Sequence, residues 1–351
     1  MGNVIYYYAA GNTSKGFRPL YKSMLKRVKD VYLLEGGSDK FKSEFFKELI
    51  KKYEGSLNLE VILSTLCEDE IEGIILKDKD IAIINKTPLH GAMDFEGDNS
   101  EVINLNIFFK EEIKDRIYDL SLLKREFKEC MEKATKEFYK ALEIHDKWEG
   151  IYFPYLNKEK ADDFTKCIIE ILKERGEKID RQGEEVERYL GGATPKGAKD
   201  SVPSITYGLK RYFLKGRAGT GKSTMLKKIS KAIRDFGYDV EVYNCGFDPD
   251  SKDMVICRDL NFAIFDSTAP HEYFPSLKED EVIDVYNIYI DEDVDKIYKD
   301  EIKEVSLKYK KQIEKGTEFL KRGEEIKKII DEIYYKAFDF EKCKEALGMF
   351  F

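Results

Sequence analysis

The sequence predicts an α/β fold of two tandem domains, each built on a doubly wound parallel sheet and extended by a long amphipathic helix. Three observations support it: an internal repeat, short apolar runs that alternate with helical patterns, and a charged helical periodicity late in each half. A chain of 351 residues is long enough for two domains of ordinary size. We place them at residues 1–178 and 179–351, because the polar stretch from Glu174 to Glu187 suits a join.

The internal repeat relates segments of the first half to segments 180 to 181 residues later in the chain. Residues 31–36 match residues 211–216, and residues 81–84 match residues 262–265. The other matching pairs are residues 13–16 with 194–197, 42–43 with 222–223, 59–61 with 240–242, 87–90 with 268–271 and 101–103 with 281–283. Because chance similarity does not hold register over so long a stretch, we infer two copies of one domain.

Short apolar runs in both halves predict buried strands. Residues 31–34 and 212–214 are such runs, and each is followed closely by glycine. After the second run a helix is predicted that ends at Gly237, from apolar residues at helical spacing: Met225, Leu226, Ile229 and Ile233. Further apolar runs lie at residues 240–243 and 262–265, so the alternation of strand and helix predicts a parallel sheet.

The later part of each half predicts one long and highly charged helix. Apolar residues recur at intervals of three or four from Ile113 to Ala141 and again from Val294 to Ile313. We expect each helix to pack on its own domain. The alternative is a helical arm between the halves or between subunits, which leaves a protein partner or a homo-oligomer through these helices open.

The composition narrows the classes of partner. The 60 basic and 68 acidic residues give a net charge of −8, so nucleic acid is not the expected partner, because it needs a basic surface. No apolar run reaches the roughly 18 residues of a membrane-spanning helix. The six cysteines include no C-x-x-C pair, which indicates reduced thiols. Residues 1–10 lack the basic start of a signal peptide and resemble a strand, so we expect a cytoplasmic protein.

Residues 216–223, Gly-Arg-Ala-Gly-Thr-Gly-Lys-Ser, fit the phosphate-loop (Walker A) pattern G-x-x-x-x-G-K-[ST] at every position. In this pattern the glycines let backbone amides turn toward phosphate oxygens, and the following helix adds the positive end of its dipole. Lys222 would contact the β- and γ-phosphates, and the Ser223 hydroxyl would ligate Mg²⁺. The predicted ATP-binding residues are Gly216, Gly219, Thr220, Gly221, Lys222, Ser223 and Thr224.

Acidic residues after two of the predicted strands are candidates for the chemistry beside this loop. Asp266 ends an apolar run at the place where a second Mg²⁺ ligand is expected, and the alternative is an aspartate that caps a turn. Asp248 follows another strand, with Asp250 and Asp253 close behind it. These acids could position a water molecule, a second metal or a substrate hydroxyl, or could belong to a solvated loop.

Two of the three histidines, His90 and His271, occupy equivalent positions in the repeat. His271 could contact the γ-phosphate or the substrate, or both histidines could fix the same turn in the two copies. The predicted catalytic residues are Lys222, Asp266, Asp248 and His271.

The first copy of the loop departs from the phosphate-binding pattern. Phe41 stands where the second copy has its last glycine, and a bulky side chain there obstructs the close approach of backbone to phosphate. Asp39 adds a negative charge, and Asn85 stands where the second copy has its metal-side aspartate. We therefore expect no hydrolysis here and a structural, regulatory or substrate-recognising role, although residues 42–43 leave weak anion binding open.

These motifs resemble those of a family of bacterial proteins with two tandem P-loop NTPase domains, described as ATPases or nucleotide-kinase-like proteins. Residues 216–224, 248–251 and 266–271 carry the resemblance, which extends over nearly the whole chain. The resemblance implies ATP binding and two P-loop NTPase-like domains. The first loop departs from the family's pattern, so a two-site mechanism is not implied.

Three functions compete on this sequence. The first is Mg²⁺-dependent ATP hydrolysis in the C-terminal repeat, although Ser267 follows Asp266 where many ATPases have a glutamate that orients water, so Asp248, His271 or Glu272 would supply that role. The second is a small-molecule or nucleotide kinase, although no arginine-rich lid is evident. The third is a binding or sensor module gated by ATP without catalysis.

Overall fold

The computed structural model describes residues 2–88, 91, 93, 95 and 97–351. The first half contains β1 Val4–Tyr8, β2 Ala10–Thr13, β3 Gly16–Pro19, α1 Tyr21–Leu25, β4 Asp30–Glu35, α2 Asp39–Tyr53, β5 Leu59–Leu63, β6 Ile71–Leu76, β7 Ile81–Asn85, β8 Ser100–Asn104, α3 Ile117–Tyr152 and α4 Lys158–Lys173. The second half contains β9 Glu185–Tyr189, β10 Gly191–Thr194, β11 Gly197–Asp200, α5 Val202–Ile205, β12 Lys210–Lys215, α6 Lys222–Asp235, β13 Val240–Asn244, β14 Lys252–Cys257, β15 Phe262–Asp266, β16 Glu281–Asp284, α7 Val285–Tyr289, α8 Val294–Ile297, α9 Lys299–Lys336 and α10 Phe340–Ala346.

The α/β class predicted from the sequence is confirmed, and within the described residues both halves contribute to one sheet of twelve strands. The strand order is β16-β12-β15-β14-β13-β9-β1-β5-β6-β7-β4-β8. The halves join where β1 and β9 pair antiparallel through Tyr8 and Tyr189. Each half therefore presents the same succession of strands, read outward from this central pair.

The sheet is mixed, so the prediction of a parallel sheet was wrong for one strand in each half. Strand β14 runs antiparallel to both β13 and β15, and β6 runs antiparallel to both β5 and β7. Residues 245–251 connect β13 to β14, and a parallel crossover needs about a dozen residues or more. The sequence interpretation placed no strand at residues 252–257, and it therefore missed this reversal.

Alternate residues of each strand point to opposite faces of the sheet and fill separate cores. On one face a single core spans both halves and is covered by α1 and α5. On the other face there are two cores, one beneath α2 in the first half and one beneath α6 in the second. Residues 216–221, which the sequence predicts to bind phosphate, lie in the α6 layer between β12 and α6.

The two long helices pack against each other, so the expectation that each packs on its own domain was wrong. Phe138 of α3 lies against Gly316 of α9, where an added Cβ would come within 2.3 Å of the ring. Met131, two turns earlier in α3, lies against Gly323, two turns later in α9. The two helices are therefore antiparallel. Glycine at both positions allows this close approach of helix to side chain.

The terminal helices are exchanged between the halves. Helix α4 of the first half packs on α6 of the second, through Ile168 and Leu172. Helix α10 and the residues around it close the core over α2 of the first half, through Phe338, Cys343 and Leu347. The core on this face of each half is thus closed by a helix of its own half and by one from the other half. None of the helices in the described residues is both long and apolar enough to cross a membrane.

Candidate functional site

The loop between β12 and α6 has the backbone geometry of an anion site. Gly219 and Gly221 have φ of +73° and +83°, in the left-handed region that favours glycine. Helix α6 begins at Lys222, so the amides of residues 222–224 have no acceptor within the helix. The Thr220 hydroxyl donates to the Arg217 carbonyl oxygen at 2.8 Å and braces the turn. The loop therefore presents backbone donors and a helix dipole at one point.

Lys222 and Asp266 meet beside this loop because their strands are neighbours. Strands β12 and β15 are parallel, with Leu214 opposite Asp266, so the carboxyl ends of both strands lie at the same edge of the sheet. Lys222 Nζ donates to the Arg217 carbonyl oxygen at 2.8 Å and lies 3.5 Å from Asp266 Oδ2. Asp266 Oδ1 accepts from the amide and hydroxyl of Thr268, at 3.0 and 2.6 Å. One carboxylate oxygen thus caps the turn while the other faces the lysine.

Ser223 connects the loop to the antiparallel strand β14. Its Oγ accepts a hydrogen bond from the Lys252 amide at 2.9 Å. The next residue, Asp253, lies in β14 and not in the loop where the sequence interpretation grouped it. Burial, together with the negative charge of Asp266, raises the pKa of Asp253 to about 6. A second carboxyl group therefore stands beside Asp266.

His271 belongs to a polar cluster next to these acids. Its Nδ1 lies 2.8 Å from Asp200 Oδ2, and the Tyr273 hydroxyl donates to Asp200 Oδ1 at 2.6 Å. Burial alone would lower the pKa of His271, but the hydrogen bond to Asp200 and the charge of Asp253 raise it. The His271 amide also donates to the Thr268 carbonyl oxygen at 3.0 Å, in the turn that Asp266 caps, so His271 lies close to Asp266. Its counterpart His90 lies outside the described residues.

Asp248 is held within its own turn between β13 and β14. Its Oδ2 accepts from the Ser251 hydroxyl at 2.7 Å, and its Oδ1 accepts from the Asp250 amide at 3.3 Å. Asp250 forms an ion pair with Lys15 of the first half. Of the predicted catalytic residues, Lys222, Asp266 and His271 are therefore brought together, while the carboxylate of Asp248 bonds to its own turn.

The first half contributes residues to this site that the sequence interpretation did not identify. Glu149, near the end of α3, accepts a hydrogen bond from the Gly219 amide at 3.2 Å. The Tyr152 hydroxyl donates to Asp295 at 2.7 Å, and Asp295 pairs with Arg217 of the loop at 2.8 Å. Glu149 and Gly219 are 70 residues apart, and no spacing pattern in the chain signals their contact.

The corresponding loop of the first half already contains its own anion. Lys42 is 1% exposed, donates to Asn85 Oδ1 at 2.6 Å and pairs with Asp39 at 2.8 Å. Lys327 of α9 approaches the same carboxylate to 3.9 Å. Burial alone would raise the pKa of Asp39, but the charges of Lys42 and Lys327 hold it below its usual range. The lysine charge in this loop is therefore neutralised within the protein.

The chain was compared with protein-family models, curated proteins and solved structures, and none of the three gives a match.

Proposed function

We propose that the chain binds ATP with Mg²⁺ at residues 216–224 and hydrolyses it in the C-terminal half. The observation that supports this most is the placement of Lys222, 3.5 Å from Asp266 Oδ2 and bonded to the loop backbone. A cation and a carboxylate at the ends of adjacent parallel strands, beside a helix N-terminus, suit a triphosphate and its metal.

The donor types fit Mg²⁺ and phosphate. Mg²⁺ prefers oxygen ligands and usually keeps several of its water molecules. The Ser223 hydroxyl and one Asp266 oxygen would supply two protein ligands, and water and phosphate oxygens would occupy the other positions. The metal would neutralise charge on the phosphates. Lys222 and the loop amides would hold the β- and γ-phosphates, and catalysis would come from positioning and charge stabilisation. His271, held by Asp200, and Asp253 are the groups that would orient the attacking water.

On this proposal the two halves are tandem P-loop domains, as in the family that the motifs resemble, and only the second is active. Asp39 would prevent phosphate from binding to the first loop, because its carboxylate repels phosphate and already forms an ion pair with Lys42. The first half would then serve to hold α3 and its residues against the active loop.

The test is phosphate release from ATP with Mg²⁺ by the wild type, Lys222→Ala, Asp266→Asn and the matched variant Lys42→Ala. We expect the first two variants to lose at least about 100-fold of the turnover, since Lys222 would stabilise the charge of the transition state and Asp266 would hold the metal that does the same. Lys42→Ala should keep its turnover within about twofold of the wild type at a temperature where its melting curve shows it to be folded, because its charge is used inside the first loop. It should be less stable than the wild type, because Asp39 is then left largely buried without this partner. A wild type that binds ATP but releases no phosphate would overturn hydrolysis and favour the kinase or the sensor.

A further inference from the structure

The end of α3 lies directly on the loop that we propose to hold phosphate. Glu149 Oε1 is 3.2 Å from the Gly219 nitrogen. An added Cβ at Gly219 would come within 2.8 Å of the Glu149 carbonyl oxygen, so the two backbones also touch. This helix belongs to the first half, and the loop belongs to the second.

The carboxylate of Glu149 is chemically a substitute for a phosphate oxygen. In the phosphate-loop pattern the backbone amides between the glycines are the donors that cradle phosphate. The amide of Gly219, one of these donors, donates its hydrogen bond to a carboxylate oxygen of Glu149. A triphosphate on the same loop would compete for that amide and would be repelled by the carboxylate.

Further contacts hold the helix end in place around Glu149. Tyr152, one turn later, bonds to the acid that pairs with Arg217 of the loop. The His145 ring lies 6.4 Å from the Phe247 ring in the turn after β13 and 5.6 Å from the Tyr309 ring of α9. The end of α3 therefore joins the phosphate loop to the neighbouring turn and to the second long helix.

We propose that Glu149 is a built-in competitor of the triphosphate, an autoinhibitory contact that ATP displaces when it binds. Displacement moves the end of α3, and the packing of α3 on α9 carries this change to both halves. The inference rests on the proposed ATP site, and it assigns a regulatory residue to that site from the opposite repeat.

The experiment measures the Kd of a fluorescent ATP analogue with Mg²⁺ for the wild type, Glu149→Ala, Glu149→Gln and Glu143→Ala. Glu149→Ala should bind about tenfold more tightly, a difference of about 1.4 kcal/mol, because the competing anion is gone. Glu149→Gln keeps the shape and an acceptor oxygen but no charge, so it should bind about threefold more tightly. Glu143 is exposed on the same helix, and its variant should match the wild type.

A second measurement follows hydrogen exchange of residues 145–155 in the wild type, which we expect to quicken when the analogue binds. An unchanged or weaker affinity in both Glu149 variants, with the wild type binding, overturns the inference and leaves the proposed function intact. Turnover lost in Glu149→Gln at unchanged affinity also overturns it, because the residue would then act as a base. If no variant binds the analogue, the proposed function falls and this inference with it. Melting temperatures confirm that each variant is folded.

Discussion

Tyr8 and Tyr189 occupy equivalent positions of the repeat and pair with each other at the centre of the sheet. A residue that pairs with its own counterpart lies on a two-fold axis, as at the interface of a symmetric dimer. Contacts further from the centre follow the same relation, because Lys15 pairs with Asp250 and the equivalent Lys196 pairs with Glu68. The chain is therefore built like a dimer whose two subunits have been joined.

The buried charges beside this axis should be important for stability. Arg188 is 4% exposed and bonds to Glu60 at 2.9 Å and to Glu241 at 3.3 Å. Arg188→Met leaves two buried carboxylates short of a partner, so we expect a loss of about 3–5 kcal/mol in unfolding free energy. Denaturant unfolding measures this, with Arg322→Met as control for an exposed pair worth less than about 1 kcal/mol. Equal losses in the two variants would contradict the role given to the buried pairs.

Because the terminal helices are exchanged, a substitution near the end of the chain should destabilise a helix of the first half. Leu347 follows α10, is fully buried and packs in the core over α2 of the first half. Leu347→Ala should cost about 2–5 kcal/mol and should raise hydrogen exchange in residues 39–53, while residues 222–235 stay protected. The control is Leu307→Ala, an exposed position on α9. Faster exchange in α6 with α2 unchanged would show that the helices are not exchanged.

The pairing of His271 with Asp200 predicts a pH dependence with a definite sign. The pKa of His271 is raised from 6.5 and that of Asp200 is lowered from 3.8. Both groups are therefore charged in the folded protein between pH 3.8 and pH 6.5, and the ion pair contributes its full stabilisation there. The stabilisation is lost as pH rises through the folded pKa of His271. Asp200→Asn should therefore cost more unfolding free energy at about pH 5.5 than at about pH 9, and NMR titration should show a lower pKa of His271 in the variant. A cost independent of pH would contradict the pairing.

Part of the fold follows from sequence pattern alone. The repeat, the α/β class and the two long helices could be predicted, because apolar periodicity and register survive in the chain. Strand β14 could not, because its charged start at residues 252–253 resembles the preceding loop. The exchange of α4 and α10 was also beyond reach, since an amphipathic helix shows that it has a partner but not which sheet it covers.

The candidate site was predictable only where its residues lie close in the chain or at strand ends. Lys222 and Asp266 were identified in this way, and the structure brings them together. Asp248 comes shortly after a strand, whereas Asp266 ends one. The side chain of Asp248 bonds within its own tight turn, and the residue type alone does not distinguish this role from a role in the site. Glu149 comes from the other repeat, and only tertiary packing brings it to Gly219.

The most direct test of the central claim is a calorimetric titration of the wild type, Lys222→Ala and Lys42→Ala with ATP and Mg²⁺. One ATP per chain is expected for the wild type and for Lys42→Ala. In the first loop Lys42 pairs with Asp39 at 2.8 Å and the Ser38 side chain caps α2, whereas the start of α6 has no side-chain cap and Lys222 faces the proposed metal ligand Asp266. Lys222→Ala should bind at least about tenfold more weakly, since a charge-assisted contact to phosphate is lost. Two equivalent sites per chain, or binding that depends on Lys42 and not on Lys222, would contradict the assignment of the site to the second repeat.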